Sequence, residues 1–164
     1  MDIWKLEKWK LIYSEVDYPL RGGLRLRFDK GVNNTVKEAC KEFCKWLRKQ
    51  YYFPIRLPVY IARQIGLRAR DGDIAMGTIL MPFSRREEPY ARIAAGNFQE
   101  EWDWEPQLFE IFGNIAHELT HYYQWINGLQ YTEVGEERQA KRYATKIVEN
   151  YRPHYEGWVR SYRT

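Results

Sequence analysis

No stretch of this sequence approaches the roughly 20 consecutive apolar residues of a membrane-crossing helix, so no membrane partner is expected. The opening segment, Met1 to Lys10, is too charged and too interrupted to serve as the apolar region of a signal peptide, which makes the cytoplasm the expected address. Cysteine is scarce. The only two, Cys40 and Cys44, lie one helical turn apart in a segment of helical periodicity, so reduced, buried thiols are expected instead of a disulfide framework. Histidine is scarce as well, with three in the chain, and the pairing of two of them at positions 117 and 121 therefore carries information. No internal repeat or low-complexity tract interrupts the order.

What is present is aromatic and basic. Seven Trp and thirteen Tyr help bring aromatics to 16%, against globular shares of hydrophobic and charged residues, a composition that argues against disorder. At 164 residues, one compact domain covering residues 1–164 is expected. The net charge of +4 favours acidic partners. The densest basic stretch, Arg21 to Arg27, alternates with Leu24, Leu26 and Phe28, which reads as an amphipathic strand with Arg25 and Arg27 on its wet face. No recognisable nucleic-acid-binding motif accompanies that charge, so nucleic acid is not an expected partner.

Asn33-Asn34-Thr35 reads as a helix start, and Val36, Ala39, Cys40, Phe43, Leu47 and Tyr51 recur at helical spacing up to about Tyr52. Three short β-like runs follow, Leu57 to Ala62, Ala75 to Met81 and Tyr90 to Ala95, which with Leu24 to Phe28 predict a sheet of about four strands. The most legible element runs from Pro106 to Asn127. Its Leu108, Ile111, Phe112, Ile115, Leu119, Tyr122 and Ile126 make one apolar stripe, and Gly128 stands where a helix cap belongs. A last helix is predicted from about Gly135 to Tyr151, with Ala140, Ala144, Ile147, Val148 and Tyr151 inward and Pro153 ending it. An aromatic, arginine-rich tail, His154 to Thr164, closes the chain.

Within the Pro106 to Asn127 helix lies His117-Glu118-Leu119-Thr120-His121. Residues four apart on a helix point about 40° from one another, so both imidazoles can reach one tetrahedral ion. Glu118 projects beside that ion, where a carboxylate can take a proton from bound water. A hydrolytic site needs a third protein ligand, and Glu133, Glu136, Glu137 and His154 stand downstream. Glu137 shares a helix face with the small residues Ala140 and Ala144, which let the two helices approach closely.

These residues resemble a known family. His117-Glu-Leu-Thr-His121 followed by Glu137-Arg-Gln-Ala140 is similar to the gluzincin metallopeptidases, especially their minimal and ImmA/IrrE-like members, over about residues 106 to 150. The resemblance implies an α+β, minimal zincin-like fold. That fold has a small, mostly antiparallel sheet, a backing helix, an active-site helix and a glutamate helix. It implies Zn2+ as cofactor, held by His117, His121 and Glu137, with Glu118 as general base in the hydrolysis of a peptide or protein substrate. It implies an edge strand just upstream of the active-site helix, here Arg92 to Asn97, with Ala94, Ala95, Gly96 and Asn97 binding an extended substrate. It also implies an oxyanion donor after the glutamate helix, for which His154, Tyr155 and Tyr151 are nearest, His154 foremost. The tail from His154 has two other readings, an inhibitor lying in the cleft and simple packing. One departure stands out: relatives carry Asp or Asn four residues after the glutamate ligand, to support a histidine, and this chain has Lys141. A catalytically silent metal-binding interaction module is the alternative function.

Overall fold

Residues 2–12, 22–69, 71–84 and 87–164 are described by a computed structural model, so Met1 and Arg21 lie outside the described residues. The elements are α1 (Trp9–Ile12), β1 (Leu24–Phe28), α2 (Asn34–Gln50), β2 (Leu57–Ala62), β3 (Leu67–Arg68), β4 (Ile74–Ala75), β5 (Gly77–Leu80), β6 (Tyr90–Ala94), α3 (Trp104–Ile126) and α4 (Glu133–Arg163). Among the described residues no helix is long and apolar enough to cross a membrane.

The fold is α+β, with one four-stranded sheet in the order β1-β2-β6-β5 and a separate two-stranded pair, β3-β4. β1 pairs with β2 and β2 with β6 in parallel, and only β5 runs antiparallel, against β6. The expected mostly antiparallel sheet is thus corrected to a mixed, mostly parallel one. The reason lies in connectivity. α2 intervenes between β1 and β2, and a strand that leaves through a helix returns parallel to its predecessor, as a hairpin cannot. Five of the six residues of β2 are buried, which suits an interior parallel strand more than a half-solvated antiparallel one.

Local chemistry sets each helix start. The Asn33 carboxamide accepts from the backbone N–H groups of Thr35 and Val36 at 2.8 and 3.2 Å, satisfying two orphan donors of α2. Asp103 accepts from Glu105 at the start of α3, so Pro106 sits inside the first turn, where its missing N–H costs nothing. Thr132 caps α4 by accepting from Gly135 at 3.0 Å. The predicted stripe of α3 is buried throughout, as are Ala140, Ala144, Ile147, Val148 and Tyr151 of α4. One buried cluster joins these faces to Val36, Ala39, Cys40, Phe43, Cys44 and Leu47 of α2 and to the sheet.

Two departures matter for the site. α4 does not end before Pro153 but continues through it to Arg163. Pro153 is exposed, and beyond it Tyr155 packs on Phe109 and Tyr162 on Trp104, aromatic contacts that offset the lost helical hydrogen bond. The N-terminal segment, unreadable by pattern, straps the two long helices together. Ile3 and Trp4 are buried; Trp4 Nε1 donates to Thr120 Oγ1 at 3.0 Å, and the Ile3 N–H donates to the Tyr143 hydroxyl at 3.2 Å.

Candidate metal centre

α3 presents His117, Glu118 and His121 where the start of α4 passes it. The turn between the helices is short because Gly128 adopts φ +62°, the left-handed conformation in which only glycine is unstrained. With Gly128 N–H bonded to Trp125 O at 3.1 Å and Leu129 N–H to Gln124 O at 3.0 Å, the chain reverses in a Schellman turn. Glu137 is thereby carried to the histidines. Its two carboxylate oxygens lie 3.1 Å from His117 Nε2 and 3.0 Å from His121 Nε2. The three ligand atoms fall within 4.8 Å of one another, a donor set of two imidazoles and a carboxylate that can hold one metal ion.

Burial and polarity differ around this cluster. Burial above all lowers the His117 pKa from its usual value, with His121 adding to the effect and Glu137 opposing it. Glu118 is buried, and burial pushes its carboxyl up to about 7, opposed by His121 and reinforced by Glu137. Its carboxylate fits because residue 77 of β5 is glycine. A Cβ on Gly77 would stand 3.1 Å from Glu118 Oε1 and 3.2 Å from Ile93 Cδ1.

His121 is oriented by Gln124, a residue the sequence reading did not single out. His121 Nδ1 lies 2.8 Å from Gln124 Oε1, while Gln124 Nε2 donates to the Glu136 carbonyl at 3.2 Å and to Gln139 Oε1 at 2.9 Å. With both amide hydrogens committed, the Gln124 oxygen faces the ring. His121 then carries its proton on Nδ1 and turns the Nε2 lone pair to the cluster. The partner of the His121 ring is thus the neutral amide of Gln124 and not residue 141, where the resemblance led to the expectation of an Asp or Asn. The available signal was positional: Gln124 is three residues after His121, on the same helix face.

The cluster opens into a cleft of about 870 Å3 between α3, α4 and the β4–β5 bend, with His117, Glu118, Glu137 and Lys141 at one end and Phe109, Val148 and Arg152 toward the other. A smaller hollow of about 210 Å3 flanks His121. The remaining candidates stand elsewhere. Glu136 contributes its carbonyl to Gln124. Glu133 is exposed in the first turn of α4. His154 is not brought to the cluster: it lies about 25 Å along α4 from Glu137, at 1.5 Å per residue, with Nε2 2.9 Å from Glu42 Oε1 and its ring stacked on Tyr151. Tyr151 and Tyr155 are buried in aromatic packing against Phe112 and Phe109. The tail therefore packs, and none of these three lines the cleft.

Ala94, Ala95, Gly96 and Asn97 are also displaced from the role expected of them. β6 is an interior strand, paired on both sides, so no substrate strand can add to it. The N–H groups of Ala94, Ala95 and Gly96 are bonded to Met76 O, Ala62 O and Gln64 O. Asn97 Nδ2 reaches Ile65 O at 3.4 Å. The edge strand on this side of the sheet is β5, one step further out. Comparison of the chain with protein-family models, with curated proteins and with solved structures finds no match.

Proposed function

We propose that this protein is a zinc-dependent peptide-bond hydrolase on a minimal zincin-like scaffold. The observation that carries the reading is the convergence of His117 Nε2, His121 Nε2 and a Glu137 oxygen within 4.8 Å, with the buried Glu118 carboxylate on the intervening helical turn. Two imidazoles and one carboxylate suit zinc in a hydrolytic site, and when bound the ion would supply Lewis acidity, acidifying water and polarising a carbonyl.

The chain's own residues do the rest. Glu118, packed beside Gly77, takes the proton of the attacking water and hands it to the departing amine. Among the described residues β5 has a sheet partner on one side, β6, so its outer edge offers backbone groups to an extended polypeptide, which would lie across the cluster as an added strand. Lys141, one helical turn beyond Glu137 and lining the same cleft, places an ammonium where charge develops on the carbonyl oxygen. It takes the part expected of His154.

Elemental analysis of protein purified without added metal, paired with Glu118→Gln, tests the reading. One zinc per chain is expected in both proteins, and peptide hydrolysis should fall by roughly 10² to 10⁴ in the variant, because the amide keeps the shape but cannot accept a proton. A wild-type protein that takes up no zinc refutes the proposal. So does a metal-loaded protein that cleaves no member of a peptide library.

A further inference from the structure

The hollow beside His121 has walls that the hydrolytic step does not use. We propose that it is a subsite for a large apolar side chain, aromatic or long aliphatic, on the N-terminal side of the bond that is cut. The inference rests on the reading of the protein as a peptide hydrolase and adds the class of side chain preferred on one side of the cut.

Position comes first. His121 stands in the wall of this hollow, while His117, Glu118 and Glu137 stand in the wall of the main cleft. The cluster therefore lies between two cavities, and an extended chain crossing it has room on both sides, as cleavage inside a polypeptide requires. β5 runs from Gly77, against Glu118, toward Leu80, and Met81 in the wall of the hollow follows directly. A polypeptide added antiparallel to that edge runs the opposite way. Its N-terminal part meets Met81 and its C-terminal part meets Gly77 and the main cleft. Antiparallel addition is the more stable pairing per residue.

The lining then selects the occupant. Met81, Trp125 and Leu129 supply the apolar surface. Two of the polar side chains beside them are already engaged, Gln124 by His121, Glu136 O and Gln139, and Trp125 Nε1 by the Pro82 carbonyl at 3.3 Å, while Gln130 and Glu136 complete the wall. Glu136 is in the first turn of α4, where its charge is favoured by the helix N-terminus without a cationic partner. Leu129 is held in place by the Schellman turn at Gly128 and does not depend on a ligand to order it. About 210 Å3 exceeds the roughly 150 Å3 that admits benzene in an apolar cavity. Phe83, one residue after Pro82, is fully exposed.

The experiment digests a peptide library with zinc-loaded full-length protein and scores the residues on each side of every cut. In parallel, peptides differing by Phe or Asp at one position are titrated onto zinc-loaded Glu118→Gln protein. Phe, Leu, Met or Trp should be favoured on the N-terminal side by at least about tenfold over Asp, the scale of small changes in an apolar pocket. Met81→Glu, at a partly exposed position, and Leu129→Ala should each erase most of that preference. Cuts without an apolar preference, a preference confined to the C-terminal side, or a preference for Lys or Arg read by Glu136 would each overturn the proposal. Unchanged selectivity in both variants would do the same. If no peptide is cut, the hydrolase reading alone fails, and the subsite stands or falls on whether the Phe peptide binds the Glu118→Gln protein more tightly than its Asp counterpart.

Discussion

Replacing Gln124 by Met keeps a similar side-chain volume in a nearly fully buried position while removing the amide that orients His121. His121 Nδ1, 2.8 Å from the Gln124 oxygen in the native protein, then has two options. If its proton stays, a buried N–H is left unsatisfied, at a cost of about 1–3 kcal/mol. If the proton moves to Nε2, the ring escapes that cost but points an N–H, not a lone pair, at the cluster. Either way the histidine becomes a poorer ligand. Loss of such an orienting partner weakens metal binding by about 10 to 100-fold, or about 1.4–2.8 kcal/mol. Competition titration of zinc against a chelator reads the affinity, and nitrogen-detected NMR of the metal-free protein reads the His121 tautomer. Gln124→Glu separates the contributions, because it keeps the acceptor but loses the donors to Glu136 O and Gln139; its zinc affinity should be retained while its thermal stability falls. Zinc affinity within twofold of native in Gln124→Met, together with an unchanged tautomer, would refute the reasoning.

Glu137→Ala should lower zinc affinity by roughly 100-fold or more, since it removes one of only three protein donors, whereas Glu136→Ala should leave it nearly unchanged; chelator competition distinguishes them, and the reverse order would move the third ligand. Lys141→Gln should reduce kcat by roughly 10² if its ammonium meets the developing oxyanion and should tighten zinc binding by removing a like charge. Lys141→Arg should restore part of the rate, and unchanged turnover in Lys141→Gln would dismiss the role. Cys40 and Cys44 are fully buried, and burial pushes both thiols up, Cys44 to about 12. Native protein should therefore resist an aqueous thiol reagent that labels both residues after unfolding. Because the folded pKa lies above the unfolded value near 9.0, the stabilisation is whole below pH 9 and is lost as pH rises toward 12; denaturant midpoints at pH 8 and pH 10.5 should differ accordingly.

What could be read from the chain was what is local and periodic. The stripes of α2, α3 and α4 and the pairing of His117 with His121 follow from residue spacing along one helix, and the structure places them as spacing requires. Strand partners are not local. Leu24 to Phe28, Leu57 to Ala62 and Tyr90 to Ala94 look alike as β-runs, and neither their order nor the interior place of β6 is visible until the sheet is assembled. The parallel sense of β1 and β2 did have a signal in the helix between them. The edge strand beside β6, β5, is short and begins at a glycine, the weakest strand pattern of the four. Pro153 misled for a related reason. A proline inside a helix costs about 3 kcal/mol locally, and tertiary contacts of Tyr155 and Tyr162 with Phe109 and Trp104 of α3 oppose it. Gln124 was hidden by the ambiguity of amides, since a glutamine on a helix is ordinarily a solvated residue and becomes an orienting group only when a second helix buries it.

The same long-range contacts explain why the ligand spacing does not wait for an ion. The strap formed by Ile3 and Trp4 bonds α3 at Thr120, next to His121, and α4 at Tyr143, fewer than two turns beyond Glu137. The Gly128 turn sets the return of the chain, and the Thr132 cap fixes where α4 begins. The groups that converge are therefore borne by helices whose opposite faces are anchored in a core of Phe43, Phe112, Tyr122 and Tyr151. A small zinc-dependent fold gains most of its folding free energy from the metal; here the apolar and aromatic core supplies what holds the helices, and an ion bound at the cluster would add only what mass action gives to a site already formed. A preformed site of this kind makes the identity of its neighbours matter more than its assembly. With a neutral Gln124 behind His121 and a cationic Lys141 near His117, the cluster carries less negative charge than one backed by carboxylates. Weaker attraction for a bound cation would follow from the same two side chains.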